Sequence, residues 1–283
     1  MTRKELLIDV FKDTERWCRE NDRLAASVKR SIAETKLYPA NSHHSLPAGS
    51  LSNGMVVSVT DSRSFEAAMR LARENPGKKI AVHNFASATN PGGGVVRGST
   101  AQEECLCRCS TLYPVLNTPQ LQECFYGFHK KQKDVRYTDA CIYSPGILIF
   151  KKDIDFPERL PEADWQEVDV ITCAAPNLRP SPYNRMNPGS GETIRVSNRE
   201  LLELHMSRAR HMLSVAAAHR ADILVLGAFG CGAFQNNPRI VAQAYKNILP
   251  EFDWQFSKIE FAVYCSPRDA KNFETFRTVL LGK

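Results

Sequence analysis

Hydrophobic and polar positions along this chain predict short apolar strands that alternate with amphipathic helices. The strand-like segments are short apolar runs bounded by turn residues or charges, and they cover residues 55–60, 79–85, 141–151, 167–173, 222–229 and 258–265. The helix-like segments carry apolar residues at helical spacing, and they cover residues 64–74, 100–112, 196–220, 238–249 and 267–281. This alternation is typical of an α/β domain in which helices cover both faces of a mostly parallel or mixed sheet.

The N-terminal part of the chain has a different pattern. Roughly the first 45 residues are predicted to be helical, because Leu6, Val10, Trp17 and Leu24 recur near helical spacing. Residues 38–54 are rich in Pro, Ser, Asn and Gly, which predicts a break. We therefore expect a helical lead-in over residues 1–50 that packs on a main domain over residues 51–283.

Composition and charge narrow the class of protein. Hydrophobic residues make up 43% and charged residues 24% of the 283 positions, which excludes a disordered, collagen-like or coiled-coil chain. No apolar run is long enough for a membrane span, and the first residues mix acids with bases, unlike a signal peptide. We therefore expect a soluble protein without membrane partners. Its expected location is the cytoplasm, or also the nucleus if the source is eukaryotic.

The basic and cysteine residues give weaker indications. The 37 Lys and Arg against 31 Asp and Glu give a net charge of +6, a mild bias towards a polyanionic ligand. A local cluster at Lys130, Lys131 and Lys133 is most simply a solvated loop. The chain has nine cysteines, an odd number that cannot all form disulfides, so we expect free thiols. Their spacing is not that of a zinc site, so we expect no metal.

Two glycine-rich loops follow predicted strands, and ligands of α/β sheets bind at the carboxyl ends of strands. The first loop covers residues 90–98 and contains three consecutive glycines, Gly92, Gly93 and Gly94. The second covers residues 227–238 and leads into a predicted helix. Glycines allow close approach of a ligand, and amides at a helix N-terminus favour an anion, so a phosphate group is the natural occupant of the second loop. Each loop taken alone is also compatible with a plain turn.

Two adjacent carboxyl groups, Glu103 and Glu104, follow the first loop at the start of a predicted helix. Acidic residues are common there because they complement the helix dipole, and this reading suffices for the pair taken alone. Together with a phosphate loop and three glycines, the pair suggests glycosidic chemistry on an ADP-ribose.

These residues resemble a known family. Gly92-Gly93-Gly94, seven intervening residues and Gln102-Glu103-Glu104 resemble the signature of poly(ADP-ribose) glycohydrolases of the macrodomain fold. The segments FASATNPGGG, YSPGILIF and GAFGCGAFQNNP are similar to the compact bacterial-type branch, and the resemblance covers about residues 50–283. The N-terminal helices resemble the short lead-in of the same branch. The family implies a three-layer α/β/α sandwich around a central mixed sheet.

The resemblance also implies roles for individual residues, and this sequence departs from the motif at no catalytic position. Glu104 is implied as the catalytic acid/base, Glu103 as the residue that positions the distal ribose, and Gln102 as a support for the loop. The remaining residues are implied to line the ligand: Asn90, Gly92, Gly93 and Gly94 at the ribose, Gly230, Cys231, Gly232 and Ala233 at the diphosphate, and Phe234 on the distal ribose. No cofactor is implied.

The expected reaction is hydrolysis of the ribose–ribose O-glycosidic bond of poly(ADP-ribose), with Glu104 donating a proton and then activating water. Removal of single ADP-ribose units from protein or nucleic acid, and ADP-ribose binding without turnover, remain alternatives. The expected partners are therefore ADP-ribose, its polymer or ADP-ribosylated macromolecules. A Cys231 nucleophile with His83, His205 or His211 as base is a further alternative that no motif supports. Exo and endo cleavage, and any oligomeric state, fit the sequence equally well.

Overall fold

Seven strands form one mixed sheet. The computed structural model describes residues 2–42, 54–182, 193–253, 255–266 and 269–282. The strands are β1 (Lys36–Tyr38), β2 (Val56–Thr60), β3 (Ile80–Phe85), β4 (Cys141–Ile149), β5 (Gln166–Cys173), β6 (Ile223–Leu226) and β7 (Lys258–Ala262). Their order across the sheet is β1-β4-β5-β3-β6-β7-β2.

The direction of the strands brings both glycine loops to one edge of the sheet. β3 is parallel to β5 and to β6, with Ala81 opposite both Asp169 and Leu224. β7 is parallel to β6 and β2, whereas β4 is antiparallel to β5 and β1. The carboxyl ends of β3 and β6 therefore lie side by side, and the two glycine loops leave the sheet there.

Helices cover both faces of the sheet. They are α1 (Arg3–Glu20), α2 (Asp22–Glu34), α3 (Ser64–Glu74), α4 (Gln102–Cys109), α5 (Leu112–Leu116), α6 (Pro119–Leu121), α7 (Phe128–Gln132), α8 (Asn198–Ala218), α9 (Pro238–Ile248) and α10 (Lys271–Leu281). A π-helical turn, Gln122–Gly127, joins α6 to α7, and a 3₁₀ turn, Val95–Arg97, follows the first glycine loop. Within the described ranges, no helix is both long enough and apolar enough to cross a lipid bilayer.

Two hydrophobic clusters fill the space between the sheet and its helices. On one face, buried side chains of α8, α9 and α10 pack on β6 and β7, for example Tyr245 and Phe276 against Phe261. On the other face, Phe11 of α1 and Leu106 of α4 belong to the cluster that covers β3 and β6. Two buried layers on one sheet make the three-layer α/β/α sandwich, so the predicted fold class is confirmed.

Most predicted elements are present with shifted ends, but the helix predicted over residues 36–38 is wrong, because these residues form β1. The helical lead-in ends at Glu34, not near residue 45, because Thr35 turns the backbone extended and Lys36–Tyr38 pair with β4. The helix predicted over 100–112 ends at Cys109, because Ser110 forms an antiparallel bridge with Ile149. The strand predicted over 222–229 stops at Leu226. Most of the break predicted over 38–54, residues 43–53, lies outside the described residues.

The N-terminal helix is attached to the main body by buried polar contacts. The ammonium group of Lys151 donates hydrogen bonds to the carbonyl oxygen of Val10, 3.0 Å away, and to Thr14 Oγ1, 2.8 Å away. It also lies 2.9 Å from the carboxylate of Asp13. These contacts compensate the charge of a lysine side chain that is only 2% exposed, and they fix α1 beside α4.

Candidate active site

Glu103 occupies the first turn of α4 and faces the end of β3. Its side chain is buried, and its Oε2 accepts a hydrogen bond from the amide of Ser87 at 2.7 Å. Its Oε1 accepts a hydrogen bond from Asn84 Nδ2 at 3.3 Å, and the amide of Gly92 is a further donor. Three N–H donors thus fix the carboxyl group without neutralising it.

Glu104 is the next residue, and it faces the triple-glycine loop. Its Oε1 accepts a hydrogen bond from the amide of Gly94 at 2.8 Å. Its Oε2 is buried and has no hydrogen-bond partner among the described residues. Adjacent residues of a helix point about 100° apart, so the two carboxyl groups hold different partners. One oxygen of Glu104 is therefore left for a ligand or a reacting group.

The glycines of the first loop have steric and conformational reasons to be glycine. Gly92 and Gly93 have φ values of +65° and +58°, in the left-handed region that other residues rarely adopt. A Cβ atom on Gly93 would lie 2.5 Å from Glu104 Oε1 and 3.1 Å from Glu103 Oε2. A Cβ atom on Gly92 would lie 2.7 Å from the ring of Tyr113. The backbone of the loop can therefore lie against both carboxyl groups only without side chains.

Burial raises the pKa of both glutamates. The pKa of Glu103 lies well above its ordinary value, first because of burial and second because of the neighbouring Glu104. Burial also raises the pKa of Glu104, against the opposing effects of the Gly94 amide and the Arg108 guanidinium. Two adjacent buried carboxyl groups resist carrying two negative charges, so the pair retains a proton more readily than exposed glutamates.

Gln102 and Asn90 hold the two ends of the first loop. The Nε2 atom of Gln102 donates to the carbonyl oxygen of His83 at 2.7 Å, and its Oε1 accepts from the amide of Phe85 at 2.9 Å. This side chain therefore ties the start of α4 to the end of β3. Asn90 is half-buried, its amide donates to Ser87 Oγ at 3.2 Å, and its carbonyl oxygen accepts from the Gly93 amide at 3.0 Å.

The second glycine loop presents unpaired amides next to a helix N-terminus. Gly230 has a φ of +75°, and a Cβ there would lie 2.6 Å from the Cβ of Ala175. The amides of Gly232, Ala233 and Phe234 donate no hydrogen bond to any described residue. They precede Pro238, the first residue of α9. Free amides and a helix N-terminus on one short segment form a concavity that suits an anion.

Asn236 is the residue that holds the second loop in shape. Its buried Nδ2 donates to the carbonyl oxygens of Pro176, Gly230 and Phe234 at 2.7, 3.1 and 3.2 Å. Its Oδ1 lies 2.8 Å from Nε2 of the buried His205 on α8. The side chain thus joins the loop after β6 to the segment after β5 and to α8.

The two loops approach each other through an aromatic contact. Phe234 packs in one cluster with Ala88, which lies between β3 and the first loop, with Ala174 just after β5, and with Tyr137. The rings of Phe234 and Tyr137 lie 6.4 Å apart. The site residues implied by the resemblance therefore lie at one edge of the sheet, on the loops that follow β3 and β6 and on the first turn of α4.

The arrangement around Cys231 is unlike that of a cysteine nucleophile. Burial raises the pKa of its thiol, whereas an activated cysteine has a lowered pKa. Its Sγ contacts the carbonyl oxygen of Phe229, and no histidine of the described residues hydrogen-bonds to it. His205 is engaged with Asn236, and the ring of His83 packs on that of Phe229 with 4.4 Å between centroids. The Cys–His alternative therefore has no geometric support.

Sequence reasoning missed the residues that support the site. Asn84 and Ser87 hold Glu103, and Asn236 holds the second loop. Asn84 could have been noticed, because it is an amide residue near the end of a mainly apolar strand. Ser87 and Asn236 lie in loops where polar residues are common, so nothing in the sequence distinguishes them.

Fold and site together define a macrodomain-like protein of the hydrolase class, with two adjacent buried carboxyl groups beside a glycine loop. A family model described as "Microbial-type PARG, catalytic domain" matches residues 8–152. PARG is poly(ADP-ribose) glycohydrolase. The chain belongs to this microbial-type family.

Solved structures agree with this assignment. Poly(ADP-ribose) glycohydrolase from Thermomonospora curvata is 30% identical, with a TM-score of 0.80 and 98% of each chain covered. Its structure with the inhibitor ADP-HPD gives a TM-score of 0.75, 30% identity and 97% coverage of each chain. The Deinococcus radiodurans enzyme in complex with ADP-ribose is 32% identical, with a TM-score of 0.73 and coverage of 90% of this chain and 97% of that one. The comparison with curated proteins gives no match.

Proposed function

We propose that this chain is a poly(ADP-ribose) glycohydrolase, which hydrolyses the ribose–ribose O-glycosidic bond of the polymer and releases ADP-ribose. The observation that carries this proposal is the pair of buried carboxyl groups, Glu103 and Glu104, on separate sets of N–H donors beside three glycines. The family assignment supports it, as do related structures that hold ADP-ribose or the inhibitor ADP-HPD.

Glu104 is the proposed acid/base. Its Oε1 is occupied by the Gly94 amide, whereas its buried Oε2 is free to carry a proton. The proton passes from Oε2 to the leaving ribose oxygen, which takes the electron pair of the breaking C–O bond. Water then attacks the oxocarbenium-like carbon and returns a proton to Oε2. A raised pKa suits the first step, because the acid must be protonated near neutral pH.

Glu103 is the proposed holder of the distal ribose. Each carboxylate oxygen has two lone pairs, so the three N–H donors described above still leave acceptor capacity for a ribose hydroxyl. Asn90 and the three glycines, Gly92–Gly94, complete the proposed wall of this ribose pocket.

The second loop is the proposed diphosphate site. The unpaired amides of Gly232, Ala233 and Phe234 supply donors for phosphate oxygens, and the N-terminus of α9 supplies a favourable dipole. Gly230 and Cys231 form the near side of this cradle, and the ring of Phe234 packs on the distal ribose. The proposed ligands are ADP-ribose itself, its polymer and ADP-ribosylated macromolecules.

The catalytic unit is proposed to be residues 51–283, with residues 1–50 as a lead-in packed upon it. Contacts from α1 to Lys151 support a lead-in that acts with the main body rather than apart from it. The cytoplasmic location stays a prediction from the sequence.

The test is incubation with labelled poly(ADP-ribose), with mono-ADP-ribosylated protein and with mono-ADP-ribosylated DNA, followed by sizing of the products. We expect release of ADP-ribose from the polymer. Turnover of the mono-ADP-ribosylated substrates alone would replace the proposal by a mono-ADP-ribosyl hydrolase. Binding of ADP-ribose without any turnover would make the protein a reader.

A further inference from the structure

Arg108 is a buried cation that the proposed mechanism does not use. It lies one helical turn after Glu104 on α4, and only 1% of it is exposed. No carboxylate oxygen of the described residues lies within 4.0 Å of its guanidinium. A buried guanidinium without a carboxylate in direct contact is unfavourable for folding, so its presence calls for a reason in the contacts that it does make.

Those contacts lead to the triple-glycine loop. The Nη1 atom of Arg108 donates to the carbonyl oxygen of Ser99 at 2.6 Å. The amide of Ser99 donates to the carbonyl oxygen of Gly94 at 3.2 Å, and the amide of Gly94 donates to Glu104 Oε1 at 2.8 Å. The hydrogen bonds therefore form a closed ring that starts and ends on α4.

The ring encloses a segment, Gly94–Ser99, that is held from its other side by α1. Gly98 has a φ of +73°, and a Cβ there would lie 2.5 Å from the carbonyl oxygen of Lys4. The hydroxyl of Thr14 on α1 donates to the carbonyl oxygen of Arg108 at 2.6 Å. The side chain of Arg108 thus holds the segment on α4, while α1 fixes the backbone of the same arginine.

We propose that Arg108 is a positioning residue for the hydrolysis proposed above: its guanidinium anchors the Gly94–Ser99 segment on α4, which keeps the Gly94 amide on Glu104 Oε1 and leaves Oε2 free for the reaction. The inference rests on the proposed function. It assigns Arg108 no contact with substrate, so its loss acts through the position of Gly94 and the orientation of Glu104, and mainly on the catalytic step.

The test compares three variants by steady-state kinetics on poly(ADP-ribose) and by ADP-ribose calorimetry. Arg108→Met keeps the bulk of the side chain and removes its donors, whereas Arg108→Lys keeps the charge and one donor group. Arg63→Met is the matched control. Both Arg108 and Arg63 donate to Cys105 Sγ, at 3.5 and 3.9 Å, but Arg63 makes no hydrogen bond to Gly94 or Ser99 in the described structure.

We expect Arg108→Met to lower kcat by roughly 10- to 100-fold, the size of effect that small misplacement of a reacting group produces. KM and the ADP-ribose affinity should change much less than kcat, because Gly94 is only one part of the proposed ligand pocket, whereas Glu104 Oε1 depends directly on the Gly94 amide. Arg108→Lys should recover part of the lost kcat, and Arg63→Met should keep the wild-type kcat. If Arg108→Met fails to fold, Arg108→Lys takes its place in the test, and its kcat should again fall more than its KM changes.

Three results would overturn the inference: a wild-type kcat in a folded Arg108→Met, an equal fall of kcat in Arg63→Met, or a loss confined to KM and ADP-ribose affinity. A wild-type protein without turnover would overturn the proposed function, and this inference with it. An active wild type combined with any of the three results overturns the inference alone.

Discussion

The imidazole Nε2 of His205 lies 2.8 Å from Oδ1 of Asn236, and both side chains are buried. The amide group of Asn236 donates its hydrogens to backbone carbonyl oxygens, so its oxygen must accept, and His205 must donate from Nε2. This relationship fixes the tautomer of His205. It also fixes the second glycine loop, which the sequence alone assigns to phosphate binding without showing what holds it.

Replacing Asn236 with Ala should therefore affect stability and ligand binding together. The variant leaves His205 and three carbonyl oxygens without this partner, at a cost of about 1–3 kcal/mol in unfolding free energy. ADP-ribose affinity should fall, because the loop amides lose their fixed direction. Chemical denaturation and calorimetry measure the two effects. Asn237→Ala is the control: it removes the exposed cap of α9, whose Oδ1 accepts from the Arg239 amide, and should leave affinity nearly unchanged. Equal affinity losses in both variants would contradict the role of Asn236.

The two glutamates should respond differently to conversion into glutamine. Glu104→Gln removes the transferable proton and should lower turnover of poly(ADP-ribose) by about 10²–10⁴, the usual contribution of general acid–base catalysis. Its ADP-ribose affinity should change little. Glu103→Gln should weaken both turnover and binding, because Glu103 is proposed to hold ribose hydroxyls. Full activity in Glu104→Gln, measured beside the wild type, would move the acid/base to another residue.

The contact between Gly93 and the carboxyl groups predicts a selective loss of activity. Gly93→Ala places a Cβ 2.5 Å from Glu104 Oε1 in a left-handed backbone conformation, so turnover should fall at least about tenfold as the carboxyl group is displaced. Gly77→Ala is a matched control, since Gly77 has a φ of +79° and no heavy atom within 4 Å of its Cβ position. Both variants should lose about 1–2 kcal/mol of stability through backbone strain. Only Gly93→Ala should lose activity, and similar kinetics for the two would refute the steric argument.

At Gly232, unlike Gly93, a side chain should affect ligand binding without affecting the fold. No heavy atom lies within 4 Å of its Cβ position, and its φ is not in the left-handed region. A Gly232→Val variant should therefore unfold at nearly the wild-type temperature. If a diphosphate lies against this backbone, the added methyl groups should still weaken ADP-ribose binding by about tenfold or more, which is about 1.4 kcal/mol. Calorimetry that shows unchanged affinity would limit the loop to a structural turn.

Two buried histidines predict an acid-sensitive fold. Burial lowers the pKa of His83 and of His205 to about 3, from 6.5. Below pH 6.5 these two histidines bind protons in the unfolded chain but stay neutral in the folded one. The stability that the neutral histidines contribute is therefore present above pH 6.5 and is lost as pH falls towards 3. Each contributes up to about 1.4 kcal/mol per pH unit. The raised pKa of Glu103 acts in the opposite direction.

A His83→Phe variant isolates one of these groups, because neither ring nitrogen of His83 has a hydrogen-bond partner among the described residues. Urea unfolding at pH 7, 5.5 and 4.5 should give similar stability to wild type at pH 7 and a growing advantage for the variant at lower pH. A constant difference between the two proteins at all three pH values would show that His83 does not remain neutral in the folded state.

The elements of the main sheet were predictable because each is an apolar run with clear ends. β6 is an uninterrupted apolar run, as expected for a strand buried on both faces. β3 and β5 are mainly apolar in their buried parts, although polar residues such as Asn84 and Asp169 interrupt them. β1 was missed because three residues are too short for any periodicity, and its strand conformation comes from pairing with β4. The residues around β1 do not indicate a pairing partner that lies about 100 residues away in the sequence.

For the candidate site, the sequence indicated the proposed reactive groups but not the residues that hold them in place. The triple glycine and the adjacent Glu103 and Glu104 form a rare local pattern, and both segments reach the same edge of the sheet. The partners of these residues are distant in sequence: Asn236 meets Pro176, and Thr14 meets Arg108. Because hydrogen bonds of this kind depend on the tertiary fold, only the structure identifies them.

The strand order also determines when the two glycine loops can come together during protein synthesis. The ribosome releases β3 well before β5 and β6, the strands that lie on either side of it in the sheet. Until both emerge, a nascent chain exposes unpaired strand edges and apolar surface, which are the features that molecular chaperones bind. β2 remains unpaired for longer still, because its partner β7 is the last of the described strands to be synthesised. A truncated chain that stops before β6 thus contains both glutamates and the triple glycine, yet has no phosphate loop to place opposite them.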